Sequence, residues 1–203
     1  MKDFRMGHWA AAGLGLLTVT TGLALGCGSD GTTSDLPQDE QSQVPVGAED
    51  RERIEMGLMH SPVPVNLTGL DRDLVGLGSY IVNSQAACND CHTNPPYAPG
   101  GNPFLGEPTQ VNTENFLAGG MLFLPGGVVS RNLTPDAQGL PAGLTYEEFL
   151  ALMRTGREPS GDILQVMPWP IYGMMRDADL RAIYEYLRAI PPARPGPAPA
   201  PTP

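Results

Sequence analysis

Cys88-Asn89-Asp90-Cys91-His92 sets two thiols three positions apart and an imidazole directly after the second. Three chemistries use such a set: a zinc site, a redox dithiol, or covalent attachment of a porphyrin iron. Zinc needs four ligands. The remaining Cys is Cys27 and the remaining His are His8 and His60, and the first 27 residues have a different reading, given below. A thioredoxin-type dithiol needs a strand before it and a helix after it, whereas here a helical pattern precedes and Pro-rich sequence follows. Porphyrin attachment fits the spacing. At a helix end, each thiol can add to one of the two vinyl groups along a porphyrin edge. His92 then lies under the iron and offers an imidazole nitrogen. The pentapeptide therefore reads as the attachment site of one covalent haem c at Cys88, Cys91 and His92.

A second axial ligand is then needed. The candidates are Met121, Met153, Met167, Met174 and Met175, with His60 as an outsider. Met153 falls on the apolar face of an expected helix and reads as core. Met174 and Met175 sit close to another helix and read as packing residues. Met121 lies in a Gly-rich loop and remains open. Met167 is preferred, because it precedes Pro168 in an irregular segment where a loop can present a thioether across the ring. A thioether opposite imidazole favours reduced iron and raises the potential.

Outward from the motif, three segments show helical periodicity. In the first, residues 71–84, Leu74, Leu77, Gly78 and Ile81 recur at i, i+3, i+4 and i+7, with Asp71 as N-cap. The second starts at Thr145, with Glu148 three residues on as a capping box. Phe149, Leu152 and Met153 form its apolar face and Gly156 its stop. The third runs from 177 to 189, striped by Leu180, Ile183, Tyr184, Leu187 and Ile190 and ended by Pro191-Pro192. A weaker helix spans 49–59. Residues 93–143 are dense in Pro, Gly and Asn, with no lasting strand alternation. A loop this long inside a compact domain is functional as a rule, and wrapping a large flat cofactor is one such function.

The ends carry no fold signal. Lys2 and Arg5, then an apolar stretch from Trp9 to Leu25, read as a signal peptide over residues 1–26. The stretch is short for a spanning helix. Gly26-Cys27 followed by a polar run resembles a bacterial lipoprotein processing site, although Ala24 and Leu25 depart from its usual Leu and small residue. Lipidation is expected at Cys27, with several acyl chains at roughly 0.8 kcal/mol per buried methylene. Processing there removes two cations and one anion, so the net charge of −10 becomes −11. Residues 27–48 read as a flexible linker too polar to offset ordering entropy. Residues 193–203 read as a disordered Pro-rich tail, which leaves 49–192 as the folded domain. The acidic balance argues against nucleic acid and is compatible with a basic protein partner.

Several further stretches carry a resemblance: Gly78-Ser79-Tyr80-Ile81-Val82, Phe116-Leu117-Ala118-Gly119-Gly120, Asn132-Leu133-Thr134-Pro135-Asp136, Thr155-Gly156-Arg157, Met167-Pro168-Trp169-Pro170-Ile171-Tyr172, and Asp179 to Leu187. With the haem motif, they make residues 71–192 resemble class I bacterial cytochromes c. The nearer type is the domain found in cytochrome subunits of membrane-bound alcohol and gluconate dehydrogenases. The resemblance implies an all-α cytochrome c fold, with crossed N- and C-terminal helices and long Pro/Gly-rich loops around one haem. It implies Met167 as the axial ligand. It also implies packing of Gly78 and Tyr80 against Tyr184 and Leu187, and contacts from Asn132, Arg131 or Trp169 to the haem or its propionates. There are departures. The related subunits carry three such domains and this chain has one motif. Arg176 stands where the family has Ser or Thr capping the last helix, so Asp177 is expected to cap.

The expected function is one-electron transfer on the periplasmic side of a bacterial membrane, lipid-anchored, with redox proteins as partners and no substrate chemistry. The alternative is a cytochrome subunit of a membrane-bound dehydrogenase. A di-haem peroxidase would need a second C-x-x-C-H. A gas sensor would need an iron open to ligand.

Overall fold

The computed structural model describes residues 50–123 and 127–196. The expected signal peptide, the linker and Cys27 lie outside the described residues.

Asp71 starts the central helix as expected: its carboxylate accepts from the backbone N–H groups of Asp73 and Leu74 at 2.8 and 3.1 Å, filling two of the donors that a helix start leaves unpaired. Three helices form the frame. They are α1 (Arg51–Met59), α2 (Arg72–Tyr80) and, far along the chain, α6 (Asp177–Ala189). Glycine decides how closely they approach. A Cβ on Gly57 of α1 would stand 2.0 Å from the Gly76 carbonyl oxygen, and one on Gly78 would stand 1.9 Å from that of Ala182 in α6. Thus α2 meets backbone on both α1 and α6, and Val75, Leu77, Ile81 and Val82 are almost wholly buried beside these contacts. Each such side chain contributes about 1.5–3 kcal/mol of transfer free energy.

Two details differ from expectation. The first helix was expected to run to residue 84. The α-helix ends at Tyr80, and Ile81–Gln85 form a wider π turn, closed by Ala86 N–H donating to Ile81. The Asn83 amide occupies the Ser79 carbonyl at 2.9 Å and reaches the Tyr186 hydroxyl at 3.2 Å. A side chain that bonds backbone in this way competes with the helical ladder. Secondly, Gly78 makes its nearest approach to Ala182 and Tyr186, rather than to the expected Tyr184 and Leu187. Residues 182 and 186 share one face of α6, and 183 and 187 lie about 100° round it. Tyr186 is fully buried, with its hydroxyl 3.0 Å from Ser61 Oγ. Tyr184 instead donates to the Leu144 carbonyl at 2.9 Å and meets the rings of Tyr146 and Phe149. Tyr80 takes the Arg53 guanidinium over its ring.

The rest of the chain wraps this frame. It includes α3 (Cys88–His92), a two-stranded antiparallel hairpin of β1 (Leu122–Phe123) and β2 (Val128–Val129), α4 (Tyr146–Thr155) and α5 (Trp169–Tyr172). The fold is thus mostly helical with one small sheet that the all-α expectation lacked. In α4 both halves of the Thr145/Glu148 capping box form, and Gly156 ends the helix at φ 66°. The start of α6 differs: Arg176 occupies the N-cap position with no side-chain cap, and Asp177 is already helical. The Asp177 carboxylate pairs with Arg154 of α4.

At the C-terminal end, Ala193 and Arg194 bond to the loops. Ala193 N–H donates to Thr134 Oγ1 at 3.0 Å and its carbonyl accepts from the Asn132 amide at 2.9 Å. The Arg194 carbonyl accepts from Asn115 at 2.8 Å. The first two residues of the expected Pro-rich tail are therefore strapped to the loops. Among the described residues no helix is long and apolar enough to cross a membrane.

Candidate functional site

The thiols and imidazole sit on the single helical turn α3. Ala87, just before it, adopts a left-handed backbone at φ 50°. Ala142, at φ 56°, is a second non-glycine residue in that region, and both line the same cavity. Such conformations cost about 1–3 kcal/mol and cluster at functional sites. The turn is tied down from both ends. The Ala86 carbonyl accepts from the Tyr172 hydroxyl at 2.8 Å. The His92 carbonyl accepts from Gly119 N–H at 2.6 Å, and buried Thr93 Oγ1 accepts from Leu117 N–H at 2.9 Å.

His92 is oriented by backbone. Its Nδ1 lies 2.8 Å from the Arg131 carbonyl oxygen. A carbonyl can only accept, so Nδ1 carries the proton and Nε2 keeps its lone pair for a metal. Burial pushes the imidazole pKa down, against the opposing pull of that hydrogen bond, so the ring is neutral at neutral pH. Burial also drives the Cys88 thiol up, to about 12. Burial and Asp90 raise Cys91 as well. Redox dithiols work the other way, with a thiolate stabilised at low pKa, and this site has no such activation.

These residues border a cavity of about 530 Å³, within the range of small-molecule and cofactor sites. Its wall is mainly apolar: Leu133 and Leu144 from the loops, Phe149 and Leu152 from α4, Ile183 and Leu187 from α6. Cys88, Cys91, His92 and Met167 all line it. Of the other axial candidates, Met153 does too, although it is 4% exposed and part of the core. Met121, Met174, Met175 and His60 do not; Met174 is 86% exposed. Arg131, Glu158 and Asp162 are the charged groups of the lining, and Arg131 pairs with Glu158 at 2.9 Å.

Asn132 and Trp169 are absent from that lining. Asn132 Oδ1 accepts from Thr134 N–H at 2.8 Å while its amide holds the tail at Ala193. The Trp169 ring lies over Gly156, where a Cβ would stand 2.2 Å from it. Two contributors leave no mark of their role in the sequence pattern. One is the Arg131 carbonyl, invisible in advance because any residue supplies a carbonyl. The other is the Tyr172 hydroxyl, whose segment was singled out without a role for it.

The donor set fits a covalently held haem: two thiols, a lone pair on an oriented imidazole, thioethers and a large apolar wall in one cavity. No family profile matches the chain. It is 32% identical over 116 residues to a gluconate 2-dehydrogenase cytochrome c subunit of Pantoea cypripedii, covering 56% of this chain and 22% of that protein. It is 29% identical over 119 residues to the cytochrome c subunit of an alcohol dehydrogenase (quinone) of Gluconobacter oxydans, covering 57% and 21%. The chain thus spans about a fifth of the length of these curated relatives. Over a little more than half of its own length, it is similar to one portion of the cytochrome c subunits of gluconate and alcohol dehydrogenases.

Proposed function

We propose that the protein is an electron carrier with one haem c, joined through thioethers at Cys88 and Cys91 and ligated by His92 and Met167. The group supplies, when bound, a one-electron Fe(III)/Fe(II) couple. The chain does the rest. The Arg131 carbonyl holds the proton on His92 Nδ1, which fixes the ring and makes Nε2 the donor atom. The apolar wall from α4, α6 and residues 133–144 excludes water. The Arg131–Glu158 pair supplies a neutral charge couple beside the group. Asn132 supports the site from outside by holding loop and tail together.

The observation that carries this reading is the His92–Arg131 hydrogen bond in a cavity shared by Cys88, Cys91 and Met167. Replacement of Met167 with Ala tests the axial assignment, with Met153→Leu as the comparison. The first should leave haem attached and lower the reduction potential markedly; the second should keep the wild-type ligand spectrum. The reverse result would transfer the role to Met153.

The names of the relatives favour a second arrangement, in which the same carrier is a subunit of a dehydrogenase complex. Co-purification with a dehydrogenase from native membranes distinguishes it from a free carrier. We also infer that the chain is exported and lipid-anchored at Cys27. Cys27→Ala should then release the haem protein from the membrane fraction, and the intact mass of the wild type should show acyl chains.

A further inference from the structure

Residues 97–111 leave the body of the fold as a tight arm. Tyr97 and Val111 bridge at its base. Ala98 N–H donates to Gln110 and Gln110 N–H to Gly101, each at 2.9 Å. The tip is a 3₁₀ turn, Pro103–Leu105. There Asn102 Oδ1 accepts from Phe104 N–H at 3.0 Å, and Glu107 Oε2 accepts from Asn102 N–H at 2.8 Å. Gly106 closes the turn at φ 79°. The base hangs on α3 itself: the Asn89 amide donates to the Pro96 carbonyl at 3.2 Å and the Tyr97 hydroxyl to Asp90 at 3.3 Å. The arm is therefore fixed relative to the cysteine motif.

This ordered tip displays apolar side chains to water. Phe104 is 80% exposed and Leu105 74%, and Phe104 meets Tyr97 edge-on at 6.2 Å. A tip already ordered by its own hydrogen bonds loses little further freedom on binding. An apolar display on such a support marks a contact surface rather than a scattered surface residue.

Charge narrows what can cover it. No Lys or Arg occurs between Arg72 and Arg131, whereas Asp90, Glu107 and Glu114 lie on or beside the arm. Arg194 is brought in at Asn115 by its carbonyl, outside the arm. An anionic lipid surface would be repelled, and a second copy would bring its own net charge of −10. A basic surface is attracted.

We propose that the arm docks a redox-partner protein that offers an apolar pocket for Phe104 and Leu105, rimmed by Lys and Arg, which sets that partner beside Cys88–His92. This rests on the electron-carrier reading. The test places the photocrosslinker benzoylphenylalanine at position 104 of the haem-loaded full chain in its native membranes. The expected adduct contains one protein with a redox centre. Its yield should fall several-fold as salt rises from about 0.05 to about 0.5 M, since exposed charges are screened over that range. Phe104→Ser/Leu105→Ser should then slow electron exchange with that purified partner roughly tenfold, the scale of losing an interface anchor, with the reduction potential and visible spectrum unchanged. The docking proposal is overturned by no adduct, an adduct only with lipid or with a second copy, an adduct with a protein lacking a redox centre, a salt-insensitive adduct, or an unchanged rate. A chain purified without covalent haem overturns the carrier reading instead.

Discussion

The helical frame and the loop half are built on different principles. In the frame, α2 meets α1 and α6 backbone to backbone at Gly57, Gly76 and Gly78, and the buried space is filled by the chain's own side chains. In the loop half, single hydrogen bonds hold long irregular segments around an apolar cavity of about 530 Å³. Examples are Gly119 to His92, Tyr172 to Ala86 and Asn132 to Ala193. One face of α6 nonetheless borders that cavity, through Ile183 and Leu187. A group bound there only by the folded state would stabilise the loop half.

The two halves should respond differently to substitution, and the largest effect is expected at the cysteines. Cys88→Ala/Cys91→Ala should abolish covalent haem. It should leave residues 93–143 open to limited proteolysis and hydrogen exchange while α2 and α6 stay protected. Equal loss of protection in both halves would refute the division. Next comes the frame. Gly78→Ala forces a methyl group to within 1.9 Å of a backbone carbonyl that cannot swing away. Overpacking of this kind costs about 1–3 kcal/mol or more, so the melting temperature should drop by roughly 2–12 °C at 2–4 °C per kcal/mol, with the haem spectrum retained.

Smaller effects separate charge from packing within the loop half. Arg131→Gln leaves Glu158 as an uncompensated anion beside the cavity, which favours the oxidised iron and lowers the reduction potential. Glu158→Gln leaves the cation and raises it. The double variant should return close to the wild-type value, and shifts of the same sign in both singles would show a merely structural role. The smallest change is expected at Thr145→Ala, which removes one half of the capping box. It should cost about 1 kcal/mol, seen as a small fall in melting temperature at constant potential.

What could be read from the sequence follows the same division. Local rules are written in local residues. The Asp71 cap, the Thr145/Glu148 box, the Gly156 stop and the limits of α6 were all legible, as was the motif itself. The contacts that finish the site are not local. His92 is oriented by a main-chain oxygen 39 positions away. Gly78 advertised a close approach without saying which face of α6 it would meet. The strap at Ala193 and Arg194 sits in a Pro/Ala-rich stretch with no periodicity to reveal it, and its partners Asn115, Asn132 and Thr134 are polar loop residues. The Asn132 and Trp169 side chains bond or pack outside the cavity lining, at Ala193 and Gly156, which no local pattern in their segments announces.

The visible and near-infrared spectrum of the purified full-length protein decides whether it carries one covalent haem ligated by His92 and Met167. The expected result is one haem per chain that survives acid–organic extraction, low-spin bands in both oxidation states, and in the ferric form the weak long-wavelength band of thioether ligation, lost in Met167→Ala. Haem that extracts freely, or a high-spin reduced form that binds carbon monoxide at neutral pH, would contradict it.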